Sequence, residues 1–341
     1  MEGLNKEAMQ RAREKWDRVA KPLGSLGILE DICVQLAGIY GSEDFSLDKK
    51  CVAVFCADNG VVCEGVTQCS SDVTAAVARN LVQGRTSVCL MAEVAGAAVL
   101  PVDAGMNTEV EGLLSIKSRR GSENIACKAA MTRAEFDSVF SAAERLVLRL
   151  KEEGIGMIVT GEMGIGNTTT AAAVICALLG ESPADITGRG SGLTDEGLRR
   201  KTEVIMRALK TNRPPKTDAA EVIRRVGGFD IAAMAGIFSG GAKYRVPIVI
   251  DGVISAAAAL AASKITPACL DFMIASHVSA EPAAEKVLVA LGKYAPIRAG
   301  LRLGEGTGGV ALLPLLDMTL SVYNSAATFD SSGIEQYEHL S

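Results

Sequence analysis

The chain has 341 residues, 48% of them hydrophobic and only 4% aromatic, with 35 glycines and a formal net charge of −5. That length holds one large core with an appendage or two domains, and the Gly- and Ala-rich composition suits helices packed closely on a sheet rather than a β-sandwich. The acidic balance, with no basic run interleaved with aromatics, argues against nucleic-acid binding.

The opening Met1-Glu2-Gly3-Leu4-Asn5-Lys6 is charged and lacks the apolar core of a signal peptide, so a cytoplasmic location is expected. Residues 5–20 set Ala8, Ala12, Trp16 and Val19 at three- and four-residue steps among charges, which predicts an amphipathic helix. Lys21-Pro22-Leu23-Gly24-Ser25-Leu26-Gly27 breaks it, and a helical period resumes over residues 28–40. These helices are expected to form a helical subdomain over residues 1–45, joined by the C-terminal segment 310–341, beside an α/β domain over residues 46–309.

From Lys50 onward the texture changes to short β-branched apolar runs separated by helix-length segments: 51–56, 97–102, 157–160, 246–250 and 270–275. The alternation predicts a doubly wound α/β fold, a mainly parallel sheet with helices on both faces. Helices are expected over 169–179 and 194–209, and a loop over 212–217 around Pro214-Pro215. The apolar stretches 253–262 and 310–322 read as buried helices; the first is too short for a bilayer and Pro314 and Asp317 interrupt the second, so no membrane association is expected. The strand ends carry Asp58-Asn59-Gly60, Asp103-Ala104-Gly105, Gly161-Glu162, Asp251-Gly252 and Ser276-His277. In open α/β sheets ligands sit beyond the carboxyl ends of the strands, so these tips are expected to share one crevice.

Two glycine-rich acidic loops concentrate the chemistry. In Leu303-Gly304-Glu305-Gly306-Thr307-Gly308 a carboxylate stands on a bare backbone, easily presented to a ligand. Gly161-Glu162-Met163-Gly164-Ile165-Gly166-Asn167-Thr168 lies between a strand and a helix, an order that cradles phosphate. Its glycine spacing matches a P-loop, yet Asn167 stands where lysine should be, which argues against a nucleoside triphosphatase and leaves room for a monophosphate. Gly188-Arg189-Gly190-Ser191-Gly192 opens another helix, with Lys201 two turns inside; a flexible turn is the plainer reading of that loop taken alone. The nine cysteines are expected to be reduced, incidental thiols, because Cys51, Cys56, Cys63 and Cys69 contain no C-x-x-C pair and His277 and His339 lie far away in sequence.

Lys21-Pro22-x-Gly-Ser25-Leu26-Gly27-x-Leu29-Glu30, Ala57-Asp58-x-Gly60-Val61, the 161–169 loop, Asp251-Gly252 and Gly304-Glu305-Gly306-Thr307-Gly308 together resemble the nicotinate-nucleotide:dimethylbenzimidazole phosphoribosyltransferases. The match runs in order over almost the whole chain. The resemblance implies transfer of ribose 5-phosphate from nicotinate mononucleotide to the lower-ligand base of a cobamide, with inversion from β to α and release of nicotinate. It implies no cofactor and no metal. Glu305 would be the general base and Glu162 would assist near the base and leaving group. Gly164, Gly190, Ser191, Lys201, Gly252, Ser279 and Leu303 would surround ribose and phosphate. Asp251 would bond ribose hydroxyls or cap a helix, and His277 reads as a structural histidine. A homodimer whose site borrows residues across the interface is implied, with a heterodimer with a paralogue as the alternative.

The departures from the family pattern cluster in the base pocket. Asp58-Asn59-Gly60 stands where the family has Asp-His-Gly, Thr67-Gln68-Cys69-Ser70 where it has a Ser-x-aromatic-Pro run, and Ala76-Val77 where it has Gln-Met. Thr67, Cys69 and Ala76 therefore put the identity of the base in question, with phenols, purines and other benzimidazoles as candidates. Two rivals remain at this point: a nucleotide-binding partner subunit without activity, and an NAD-dependent oxidoreductase. The second lacks a Gly-x-Gly-x-x-Gly turn after the first strand.

Overall fold

In the computed structural model, which describes residues 3–338, strand β1 (Lys50–Ala57) is buried along its whole length. His339, along with residues 1–2 and 340–341, lies outside the described residues. Ahead of β1, α1 (Lys6–Arg18) starts where the Asn5 side chain accepts from Ala8 N at 3.0 Å, and it buries Ala8, Ala12 and Trp16. α2 (Ile28–Tyr40) packs against it and ends at Gly41 in the left-handed region.

Beyond β1 come α3 (Asp72–Val82), α4 (Ser87–Val94), β2 (Ala97–Gly105), the two-residue β3 (Leu114–Ser115) and α5 (Arg133–Glu152), which opens on a Thr132/Glu135 capping box. β4 (Met157–Met163) leads into α6 (Asn167–Leu179), α7 (Pro183–Ile186), α8 (Asp195–Asn212), α9 (Ala219–Val226) and α10 (Phe229–Tyr244). β5 (Ile248–Ile250), α11 (Val253–Ile265), β6 (Met273–Ala275), α12 (Ala284–Ala290), α13 (Thr307–Ser325) and α14 (Phe329–Ser332) complete the chain.

The six strands are all parallel, in the order β3-β2-β1-β4-β5-β6. The order reverses direction at the β1–β4 pair, where Phe55 lies opposite Glu162. This is the switch point of a doubly wound sheet, and the crevice beyond the ends of β1 and β4 is where such folds bind ligands. β4 runs on through Gly161 and Glu162 to Met163, so the first of the acidic loops is the end of a strand rather than a free loop.

α13 ties the site to the chain termini. It starts against β4, where Gly309 lies on Val159, and ends where Tyr323 packs its ring 5.0 Å from that of Trp16. Lys50, at the start of β1, pairs with Asp317 at 2.6 Å. Val19 forms an antiparallel bridge with Thr328. Pro314 sits inside this helix without ending it. One hydrophobic core is continuous from Trp16 through the sheet to Tyr323. Among the described residues no helix is long and apolar enough to cross a membrane.

Candidate active site

At the switch point a cavity of about 190 Å³ gathers residues from every expected strand tip except those of β1 and β2. Its walls include Glu162, Gly164, Gly190, Ser191, Asp251, Gly252, Ser279, Leu303, Glu305 and Thr67. Sequence positions more than two hundred apart therefore meet because parallel strands deliver all their carboxyl ends to one edge.

Glu305 is held by an unusual backbone. Gly304, Glu305 and Gly306 all have positive φ, at 93°, 60° and 92°. For a glutamate that conformation costs on the order of 1 kcal/mol or more, so surrounding contacts must impose it. One of them is Gly161: a Cβ there would collide with the Glu305 carbonyl, so the turn lies directly on the β4 backbone. The other is Asp251 at the tip of β5, whose two oxygens accept from Gly306 N at 3.2 Å and Gly309 N at 3.0 Å. The Glu305 carboxylate then reaches the start of α4, where Val88 N donates to Oε2 at 3.5 Å. Burial raises its pKa, against the opposing pull of the Val88 N–H and the Thr86 hydroxyl, while the nearby Asp251 charge pushes it up further.

Glu162 faces the same turn from below and is only 8% exposed. Asn167 donates to its Oε2. Burial carries the Glu162 pKa well above the usual carboxylate range, against the hydrogen bond from Asn167, and the charges of Asp230, Asp251 and Glu305 add to the rise. Asn167, which departs from the P-loop lysine, is thus the residue that orients Glu162. Behind it Asp230 is fully buried, with its pKa raised to about 6 by desolvation.

The structure places several expected residues differently. Lys201 is fully buried and does not line the cavity. Its Nζ donates to Thr168 Oγ1 at 2.7 Å and to the Gly188 carbonyl at 3.1 Å, so it braces the two glycine loops from behind. Desolvation lowers its pKa to about 8. Asp251 is buried with both oxygens engaged by the first turn of α13, which is the capping alternative, although the helix it caps comes from far along the chain. Of the three base-pocket positions only Thr67 reaches the cavity. Cys69 lies in the bend beyond it, and Ala76 is exposed on α3, because α3 starts at Asp72 and turns that position outward. Asn59 is 2% exposed and packs beneath Gly164 and Gly166, so it supports the loop instead of lining the base pocket.

Two other lining residues, Arg302 and Glu281, carried no signal in the sequence. They stand in the wall, the first beside Leu303 and the second just after Ser279. His277 also lines it, bonded through Nδ1 to Ser276 Oγ at 2.9 Å and lying under Gly308, with its pKa lowered by burial against the pull of Asp251. Among the described residues no group of three or more His, Cys, Asp or Glu is arranged to hold a metal. The nine cysteines are unpaired; Cys51 and Cys56 are buried in β1, and Cys63 is exposed.

A crevice at the switch point of a doubly wound sheet, walled by glycine loops and buried carboxylates, defines an α/β enzyme of the nucleotide-handling class. A family model described as phosphoribosyltransferase matches residues 1–334. The nicotinate-nucleotide–dimethylbenzimidazole phosphoribosyltransferase of Ruminiclostridium cellulolyticum is 43% identical over 339 residues, 99% of this chain and 96% of that protein. The enzyme of the same name from Acetivibrio thermocellus is 44% identical over 337 residues, 98% of this chain and 96% of that protein. The crystal structure of CobT from Thermus thermophilus superposes with a TM-score of 0.92 at 38% identity, covering 97% of this chain and all of that one. The chain belongs to the nicotinate-nucleotide–dimethylbenzimidazole phosphoribosyltransferase family, and it is a phosphoribosyltransferase.

Proposed function

We propose that the enzyme transfers ribose 5-phosphate from nicotinate mononucleotide to an aromatic base, giving an α-riboside 5′-phosphate and nicotinate. The observation that carries this reading is the Glu305 turn seated on Gly161 and facing Glu162 across one cavity. The nucleophilic atom of the acceptor, a ring nitrogen of a benzimidazole or purine or the hydroxyl oxygen of a phenol, attacks C1′ from the face opposite nicotinate. The new C1′–N or C1′–O bond forms as the old one breaks, and the electron pair of the old bond neutralises the pyridinium nitrogen of the leaving nicotinate. Glu305 takes the N–H or O–H proton that the acceptor sheds, a task suited to a carboxylate of raised pKa. Glu162, neutral and oriented by Asn167, donates a hydrogen bond near the ring that leaves.

Phosphate and ribose are assigned to the wall of Gly164, Gly190, Ser191, Gly252, Ser279 and Leu303, where backbone N–H groups at the glycine loops supply donors. Lys201 contributes its charge from behind that wall. Thr67, with Val66, Met163 and Ile165, forms the apolar side open to the base. Because Cys69 and Ala76 lie outside the cavity, a relaxed or shifted base preference rests on Thr67, the one departing position in its wall. Mass spectrometry of products from nicotinate mononucleotide with dimethylbenzimidazole, unsubstituted benzimidazole, adenine, phenol and p-cresol in competition tests this. A strong preference for dimethylbenzimidazole over all the others would overturn the shifted preference, and no riboside phosphate from any base would overturn the reaction.

Exposed Val82, Leu90 and Val94 on α3 and α4 give a second copy an apolar face beside Glu305, which supports a homodimer; a heterodimer with a paralogue is the alternative. Light scattering on the purified chain separates the two, since a chain that needs a paralogue stays monomeric.

A further inference from the structure

Glu281 is a carboxylate in the cavity wall to which the reaction gives no task. It lies two residues beyond Ser279, whose Oγ accepts from Glu281 N at 3.4 Å. Its Oε2 fills the space that a side chain at Gly188 would occupy, so the group leans on the 188–191 turn. The Gly188 carbonyl of that same turn accepts from Lys201. Among the described residues neither oxygen of Glu281 has a hydrogen-bond or ion-pair partner. Burial raises the Glu281 pKa, and the charges of Lys201 of α8 and of Arg302, next to Leu303, pull the other way and favour its ionised form. Glu281 in turn favours the charged form of Lys201.

On the reading that this wall takes the substrate phosphate, an acid therefore stands where a dianion must dock. Two like charges cannot share one poorly hydrated wall without one of them taking up a proton. Withdrawal of the side chain would open a gap against Gly188, on which it leans. We propose that Glu281 stands ionised in the empty site, within the field of Lys201 and Arg302 but unpaired, and takes up a solvent proton as the phosphate enters, then donates a hydrogen bond to a phosphate oxygen. No covalent bond changes, and one proton moves from solvent to the Glu281 carboxylate. Binding of the donor substrate is therefore linked to pH through a residue outside the chemical step.

The other titratable groups of the cavity are Glu162, Asp251, Glu305 and His277 along the wall and Lys201 behind it. Near pH 8 Lys201 itself titrates, so the slope at lower pH is the diagnostic region. The test uses inorganic sulfate, a dianion from about pH 5.5 to about pH 8.5, as a competitor of nicotinate mononucleotide in the wild-type enzyme and in Glu281→Gln. In the wild type the inhibition constant should rise by up to ~10-fold per pH unit above the Glu281 pKa of the empty site, and calorimetry in buffers of different ionisation heat should show proton uptake on sulfate binding. In Glu281→Gln the constant should be low and nearly flat below about pH 7, with uptake lost. A flat wild-type profile without proton uptake overturns the proposal and needs no variant. So does a variant that keeps the wild-type slope, or one that binds sulfate more weakly at every pH, as loss of a ribose-binding group or of the local fold would produce. Absence of any competition by sulfate is a separate outcome: it would remove the phosphate from this wall and overturn the site reading together with the proposal.

Discussion

Asp251 Oδ1 accepts a 3.0 Å hydrogen bond from Gly309 N, so a carboxylate at the tip of β5 fixes the first turn of α13, the helix that begins two residues after Glu305. Together with the bond from Gly306 N, it caps that helix with a charge where the helix dipole favours one. Asp251→Asn retains the size but presents only one good acceptor. It should lower unfolding stability by ~1 to 2 kcal/mol and lower kcat more than it raises KM. Denaturant unfolding at neutral pH checks the first effect; stability equal to wild type would mean that the cap holds nothing.

Glu305→Gln should bind nicotinate mononucleotide as the wild type does and lose ~10²-fold or more in turnover, because size is kept and basicity is lost. The same residue sets a pH dependence. Its carboxyl must be ionised to accept a proton and burial raises its pKa, so kcat/KM should fall as pH drops through that raised value. The acid limb should disappear from the residual rate of the variant. Wild-type turnover in the variant would remove Glu305 from the role of base.

Glu162 has the opposite thermodynamic signature to a salt-bridged acid. Its folded pKa lies well above its unfolded one, so the native state holds the proton more tightly. Its contribution to stability is full below the ordinary carboxylate pKa and is lost as pH rises through the raised one. Glu162→Gln should therefore gain stability relative to wild type as pH increases across that window while turnover falls. Melting curves from acid to alkaline pH give the comparison, and a constant difference between the two proteins would show that Glu162 does not titrate there.

Gly161→Ala places a methyl group against the Glu305 carbonyl. Relief requires the turn to lift off β4, so the variant should lose most activity and ~1 to 3 kcal/mol of stability. Full activity in a variant with native melting would show that the turn is free to move.

Lys201→Met removes a charge that donates to Thr168 and Gly188 and so braces the two loops. A charge-assisted hydrogen bond is worth roughly 1.5 to 3 kcal/mol, and the loss should surface as a higher KM for nicotinate mononucleotide with kcat less affected. An unchanged KM on a folded variant would separate Lys201 from phosphate binding.

Local pattern and loop chemistry were enough to read α1 and α2, because Trp16 and its four-residue partners can only face a core and the breaker at Pro22 leaves little freedom. The two glycine-flanked glutamates were legible for the same reason. Residues that act across the fold were not. Lys201 reads as a helix lysine beside a loop, and only the packing of α8 against α6 shows that it is buried. Ala76 and Cys69 carry no mark of which way their segment turns. β3 is two residues long and has no period to detect, and Met163 extends β4 into what reads as a loop because β1 continues beside it. Glu281 and Arg302 meet only when the segment after β6 folds back over the strand tips.

α13 is a rod of nineteen residues with the Glu305 turn at one end and the Trp16–Tyr323 contact at the other. Along its length it is bolted to the sheet by Lys50 and Asp317. The Glu305 turn therefore cannot swing without levering the terminal helices out of their joint. The opposite bank, the 188–191 turn, is held instead by side chains that reach it from other segments: Lys201 bonded to the Gly188 carbonyl, Glu281 against Gly188 and Arg189 paired with Asp195.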